Sequence, residues 1–298
     1  MRNTQIPRDS EWNILKLLRW TTAYFQSHAI ESSRAAAEIL LAHVLNIDRV
    51  DLYIQYDRPL NQSELLAFKL LIKRRLNREP VAYILGRKEF WSLNLTVTAD
   101  VLIPRPETES LVEWALARLP RREAGRQRRI LELGTGTGAI VLALAKERPG
   151  HRFVATDIST GALALASRNA ADCQLADVVS FICGDWLMPF RTGSAKFDLI
   201  VSNPPYIPEA DIDNLQPEIT RFEPRLALDG DADGLGCIRS LIHTAHAHLV
   251  PGGELMLEMG ADQKEMVTRL AEDAGHYTGI KFRKDYSGND RVAWMQRK

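Results

Sequence analysis

The sequence predicts an α/β fold, with a helical N-terminal domain ahead of an open, mainly parallel sheet covered by helices. Three observations carry this. The first 80 residues show helical apolar spacing without a strand pattern; from Ile130 onward short apolar strands alternate with helices; and a glycine-rich turn joins the first of those strands to its helix. The 298 residues suit about two domains, and 45% hydrophobic against 26% charged residues supplies a core of ordinary size.

In chain order, Ile14, Leu17, Leu18, Thr21, Tyr24 and Phe25 recur at one helical face, with Asp9 or Ser10 as cap candidates. Ser32 or Ser33 is the cap candidate of a second helix to about Leu45. Ser63 opens a third to Asn77, carrying Leu65, Leu66, Phe68, Leu71, Ile72 and Leu76. Between Phe90 and Val97 the alternation of Leu93, Leu95 and Val97 predicts a β-hairpin bridging two domains. The acidic turn of Ile103-Pro104-Arg105-Pro106-Glu107-Thr108-Glu109 suits the start of a helix through Leu116. Strands are expected at 130–133, 153–156, 178–182, 199–202 and 254–258, and a closing hairpin near 281–283 and 291–295.

Net charge is zero, with 38 basic and 38 acidic residues, so the global basic surplus of a phosphate-gripping protein is missing. Local blocks exist: seven basic and two acidic residues over 69–89, six Arg and one Glu over 118–129, and eight acidic residues with two Arg over 209–233. Each reads either as solvated surface or as a means of orienting a charged partner. The polar start, Met1 to Trp12, does not read as a signal peptide, and the longest apolar run, Ala139–Ala145, is too short for a membrane span. Cys173, Cys183 and Cys237 form neither a disulfide framework nor a zinc pattern, which points to the cytoplasm and to no metal site. Cys183 is expected in the core, and His243, His246 and His248 on a solvated helix face.

Two motifs carry chemistry. Leu131-Glu132-Leu133-Gly134-Thr135-Gly136-Thr137-Gly138 ends a strand and opens a helix, and Asp157 ends the next strand. Glycines let the backbone approach a ligand, and the Asp carboxylate can accept ribose hydroxyls. This context suits a dinucleotide or S-adenosylmethionine equally. Glu132, charged within a strand, either orients the loop or meets a cationic ligand. Ser202-Asn203-Pro204-Pro205-Tyr206 ends the fourth sheet strand, the edge where open parallel sheets bind ligands. There the Asn203 oxygen and the Pro204 carbonyl can accept the two N–H bonds of a planar –NH₂ group, while Tyr206 packs on its face. Methylation of a planar nitrogen needs this arrangement, and nicotinamide chemistry does not.

On these residues the chain resembles the class I S-adenosylmethionine-dependent methyltransferases of the Asn-Pro-Pro-Tyr group, and among them the bacterial peptide chain release factor glutamine methyltransferase family. The resemblance extends through 40–45, 78–86, 103–109 and Arg221-Phe222-Glu223-Pro224. It implies a Rossmann-like seven-stranded methyltransferase sheet, with a helical substrate-recognition domain at 1–84, a hairpin linker at 85–104 and a methyltransferase domain at 105–298. It also implies S-adenosylmethionine held by Gly134, Thr135, Gly136, Thr137, Gly138, Asp157, Trp186 and Asn203. The substrate Gln of a Gly-Gly-Gln motif in class 1 release factors would be held by Asn203, Pro204, Pro205 and Tyr206, with Asn203, Pro204 and Tyr206 catalytic. A monomer without a nucleic-acid substrate is expected. Methylation of a ribosomal-protein Gln, or of adenine or cytosine in nucleic acid, remains the alternative. So do a dehydrogenase and a cofactor-binding module without catalysis. Trp186 reads as adenine-side or core, and Arg105 as lining the site or anchoring an interdomain turn.

Overall fold

The computed structural model describes residues 12–121, 126–191 and 196–298, and the chain divides into two compact units, Met1–Gly86 and Arg87–Lys298. The first unit is helical: α1 (Ile14–Ser27), α2 (Ser33–Leu45), α3 (Asp51–Ile54), α4 (Gln62–Leu76) and α5 (Val81–Leu85). Its core gathers Ile14, Leu17, Phe25, Leu40, Leu41, Phe68 and Ile72, the apolar stripes that the spacing isolates. Asn13 caps α1 by accepting from the Lys16 N–H at 2.9 Å, whereas Asp9 and Ser10 lie outside the described residues. α4 begins one residue before Ser63, because Asn61 and Glu64 form a reciprocal capping box.

The second unit opens on a hairpin, β1 (Arg87–Phe90) and β2 (Leu93–Thr96), followed by a seven-stranded sheet. The sheet strands are β3 (Arg129–Leu133), β4 (Arg152–Asp157), β5 (Val179–Cys183), β6 (Phe197–Ser202), β7 (Leu249–Glu258), β8 (Tyr277–Lys284) and β9 (Asp290–Arg297), in the order β5-β4-β3-β6-β7-β9-β8. β3 to β7 run parallel and β9 and β8 add antiparallel. Strand order reverses between β3 and β6, which places a crevice beyond their carboxyl ends. The connecting helices are α6 (Glu109–Arg118), α7 (Ala139–Glu147), α8 (Thr160–Asp172), α9 (Glu209–Ile212), α10 (Pro217–Thr220), α11 (Gly236–Ala245) and α12 (Lys264–Ala274). α7 is buried throughout Ala139–Ala145 because one apolar cluster joins it to the sheet, to α6 and to the hairpin's Phe90, Leu93 and Leu95.

Some expectations change. The hairpin turns through Trp91 and Ser92 at φ +50° and +56°, the two left-handed positions of a type I′ turn. Hydrogen bonds from Trp91 Nε1 to Glu147 (3.2 Å) and from Lys146 to the Ser92 carbonyl (3.3 Å) hold it. Cys183 is exposed at the end of an edge strand, not core. His243 is exposed as expected, whereas His248 is buried and His246 stacks on His276 at 3.6 Å, so the solvated face is confined to His243. Part of the basic charge is neutralised by pairing within the chain, though the arginine side chains stay partly to largely exposed: Arg74 pairs with Glu79, Arg118 with Glu254 and Arg126 with Asp198. The 122–125 part of the second basic block lies outside the described residues. No helix among the described residues is long and apolar enough to cross a membrane.

Candidate active site

A cavity of about 600 Å³ opens at the strand-order reversal. Its wall includes Gly134, Thr135, Gly136 and Thr137 after β3, Asp157 at the end of β4, Gly184, Asp185 and Trp186 after β5, and Asn203 and Pro205 after β6. Two distant segments close it: 100–105 with Thr108, and 224–231. The sheet therefore brings together the glycine loop, Asp157, Trp186, Asn203 and Pro205. Gly138, Pro204 and Tyr206 are not among the lining residues.

The glycine loop owes its path to left-handed backbone at Gly134 (φ +68°) and Gly138 (φ +82°). A Cβ at Gly134 would stand 3.4 Å from the Trp186 ring, so this glycine admits the indole against the loop. Trp186 itself sits at φ +43°, lines the cavity and also packs on the apolar cluster behind the sheet. Gly138 serves the fold: its added Cβ would meet Leu142 at 3.2 Å beneath the start of α7. Asp157 is oriented by two backbone donors, Gly136 N–H to Oδ2 at 2.8 Å and Ser159 N–H to Oδ1 at 2.9 Å. It thus ties the loop to β4 while its carboxylate lines the cavity.

Glu132 is 1% exposed; it accepts from the Thr135 hydroxyl and from the Val141 N–H at 3.1 Å. Burial pushes its carboxyl up to about 8, against those two donors and with help from the Asp157 charge. Burial thus favours the protonated form, and the side chain both holds the loop through Thr135 and Val141 and lines the cavity. Arg105 lines the cavity and also pairs with buried Glu223 at 2.6 Å; Glu223 accepts from the Ile103 N–H at 3.3 Å as well. It therefore lines the cavity, and the segment it anchors through Glu223 lies within the second unit.

At the other wall, the Asn203 Nδ2 donates to the Thr108 Oγ1 at 3.2 Å, which leaves Oδ1 as the acceptor for an incoming N–H. Pro204, next in the chain, is buried. The Tyr206 hydroxyl donates to Glu258 Oε1 at 3.2 Å, and burial followed by the Glu258 charge raises its pKa. Sequence reasoning missed Thr108 and Glu258. The signal for Glu258 was the one that drew Glu132, a carboxylate inside a buried strand; Thr108 gave none.

The fit to a methyl-donor nucleoside is chemical. A cavity with an oriented ribose-accepting carboxylate, an indole against a glycine turn, and Asp100, Asp185, Asp229 and Asp231 around it suits a cationic adenosine ligand. Among the described residues no cluster of His, Cys, Asp or Glu is placed to hold a metal ion.

Comparison with known proteins agrees with this architecture. Residues 16–86 match the family described as PrmC N-terminal domain and residues 113–221 match Methyltransferase small domain. Release factor glutamine methyltransferase of Geobacter sulfurreducens is 44% identical over 281 residues, 94% of this chain and 95% of that protein. That of Coxiella burnetii is 46% identical over 269 residues, 90% of this chain and 93% of the relative. The N-terminal domain of human METTL16 in complex with SAH shares the fold, with TM-score 0.52 at 18% identity over 76% of this chain and 83% of that one.

Proposed function

The chain belongs to the release factor glutamine methyltransferase family, and from that premise we propose that it methylates the side-chain amide nitrogen of the Gln in the Gly-Gly-Gln motif of class 1 peptide chain release factors, using S-adenosylmethionine. The observation that carries this reading is the meeting of Asn203 and Pro205 with the glycine loop and Asp157 around one cavity.

S-adenosylmethionine, when bound, supplies an electrophilic methyl group. The loop 134–137 and Asp157 would hold its adenosine part, with the Trp186 indole beside them. Asn203 would accept one amide N–H through Oδ1, and the other would go to the backbone carbonyl of Pro204, whose residue is itself buried but stands between the lining positions Asn203 and Pro205. An amide nitrogen is a poor nucleophile because its lone pair is delocalised. Two acceptors facing its N–H bonds favour the positive charge that develops there, and fixed orientation lowers the entropic part of the barrier. An alkylated, protonated amide is strongly acidic and sheds its proton to water, so no strong base is required. We assign substrate recognition to the helical segment 1–84 and interdomain linkage to 85–104, and place the enzyme in the cytoplasm as a monomer.

The test is transfer of labelled methyl from S-adenosylmethionine into purified release factor, ribosomal proteins and DNA, followed by peptide mapping. One methyl group on the Gly-Gly-Gln glutamine is expected, and replacing that Gln by Ala in the factor should abolish it. More efficient methylation of a ribosomal protein or of DNA would overturn the assignment.

A further inference from the structure

The Asn203 carboxamide has two chemically opposite ends, and only its oxygen can accept a substrate N–H. Reversed, it would oppose donors to donors. Its polarity is set at the cavity wall, by the Thr108 Oγ1 that accepts from Nδ2 at 3.2 Å. For that oxygen to accept, the hydroxyl proton of Thr108 must point elsewhere.

The group beside it is Glu258, at the carboxyl end of β7 and fully buried. One of its oxygens, Oε1, accepts from the Tyr206 hydroxyl at 3.2 Å. The other, Oε2, is buried with no hydrogen-bond partner among the described residues, and the Thr108 hydroxyl faces the same carboxyl. An unserved buried acceptor is costly, so the Thr108 proton is drawn toward it.

We propose that Glu258 is a positioning residue for the transfer, acting through the Thr108 hydroxyl on the polarity of the Asn203 carboxamide and directly on the Tyr206 ring. The inference rests on the functional reading above. Neither Glu258 nor Tyr206 lines the cavity, so the effect travels through the network. The charged and titratable groups facing Glu258 come from three sides. They are Glu107 in the 106–108 turn, Tyr206 after β6, and Arg291 on β9, itself held by Asp285 and the Met259 carbonyl, each at 3.2 Å. Burial raises the Glu258 carboxyl to about 7, with Glu107 adding to the rise and Thr108, Arg291 and Tyr206 opposing it. The ionised form accepts from the two hydroxyls through separate oxygens, whereas a protonated Oε2 becomes a donor toward the Thr108 oxygen and competes with the Asn203 Nδ2 for it. Turnover therefore rises as pH increases through the folded value.

The experiment compares wild type, Thr108→Val, Thr108→Ser and Glu258→Gln on intact release factor across pH 5.5–8.5, with S-adenosylhomocysteine affinity by calorimetry. Thr108→Val should lose about 10- to 100-fold in kcat, less than loss of a group touching the substrate, with cofactor affinity within about twofold. Thr108→Ser should restore turnover, and Glu258→Gln should lack the ascending limb near pH 7. Wild-type kcat in Thr108→Val, on a factor the native enzyme methylates, overturns this inference alone. A native enzyme that leaves the factor unmethylated overturns the functional reading and this inference with it.

Discussion

Asp157 does two jobs with one carboxylate: it accepts from Gly136 and Ser159 N–H groups and it faces the cavity. Asp157→Ala should therefore weaken S-adenosylhomocysteine binding by roughly 1.5–3 kcal/mol, or about 10- to 150-fold, the range for one charge-assisted bond. Calorimetry at fixed ionic strength checks this, and equal affinity would refute it. Glu132 gives the opposite kind of prediction. Its carboxyl is raised by burial, so the folded state binds an extra proton between the unfolded value of 4.5 and about 8. That contribution to stability is complete below the unfolded value and fades as pH rises through about 8. Glu132→Gln keeps an acceptor for Thr135 and Val141 without the ionisable group. Thermal melts at pH 6 and pH 9 should show the wild type losing more stability than the variant, and parallel losses would contradict the argument. At this scale the sequence carried Asp157, Asn203 and the glycines because each sits where a strand ends. It was silent on Thr108, whose role exists only through Asn203, 95 residues away.

Elements were legible where a local period dominates. The stripe of α1 and the strands β3, β4 and β6 come from apolar runs that bury on forming, and the structure extends them by a residue or two. The β1–β2 turn was harder: Trp91-Ser92 lacks the Asn-Gly or Asp-Gly signature, and its two left-handed residues are held by bonds to Glu147 and Lys146 that no local pattern announces. Caps shifted for a similar reason, since Asn13 and Asn61 compete with nearby serines and only the reciprocal bond to Glu64 decides the second case. The short helices α3 and α5 have four and five residues, too few to display a period. An element-scale prediction follows from the cavity's far side. Glu223 joins the 103–105 segment to the 223–231 segment through Arg105 and the Ile103 N–H. Glu223→Ala should lower stability by about 1–3 kcal/mol, since it strips a partly exposed guanidinium of its buried partner. Hydrogen exchange should then quicken in both segments together. Faster exchange in one alone would show that they are not coupled.

For the molecule as a whole, two units with separate apolar cores argue that the second can stand without the first. A chain beginning at Arg87 should bind S-adenosylhomocysteine near wild-type affinity yet methylate intact release factor with a KM raised about tenfold or more, because a partner that loses part of its contact surface binds more weakly. Unchanged kcat/KM on the intact factor would remove recognition from the helical unit. The sheet was readable as a whole because strand-helix alternation leaves few topologies, but the pairing of specific side chains across its reversal point was not, since it depends on which segments fold back over the crevice. That pairing has a kinetic meaning. The contacts that shape the crevice join residues 95 and 118 positions apart, Thr108 with Asn203 and Arg105 with Glu223. Long closures of this kind must be completed before they return any energy, so they form late. During refolding from denaturant, the far-ultraviolet helical signal should recover first and methyl transfer only afterwards, and simultaneous recovery would count against it. Catalytic competence would then report on completion of the whole fold, and the same ordering in reverse makes loss of turnover an early sign of thermal damage while most helices still stand.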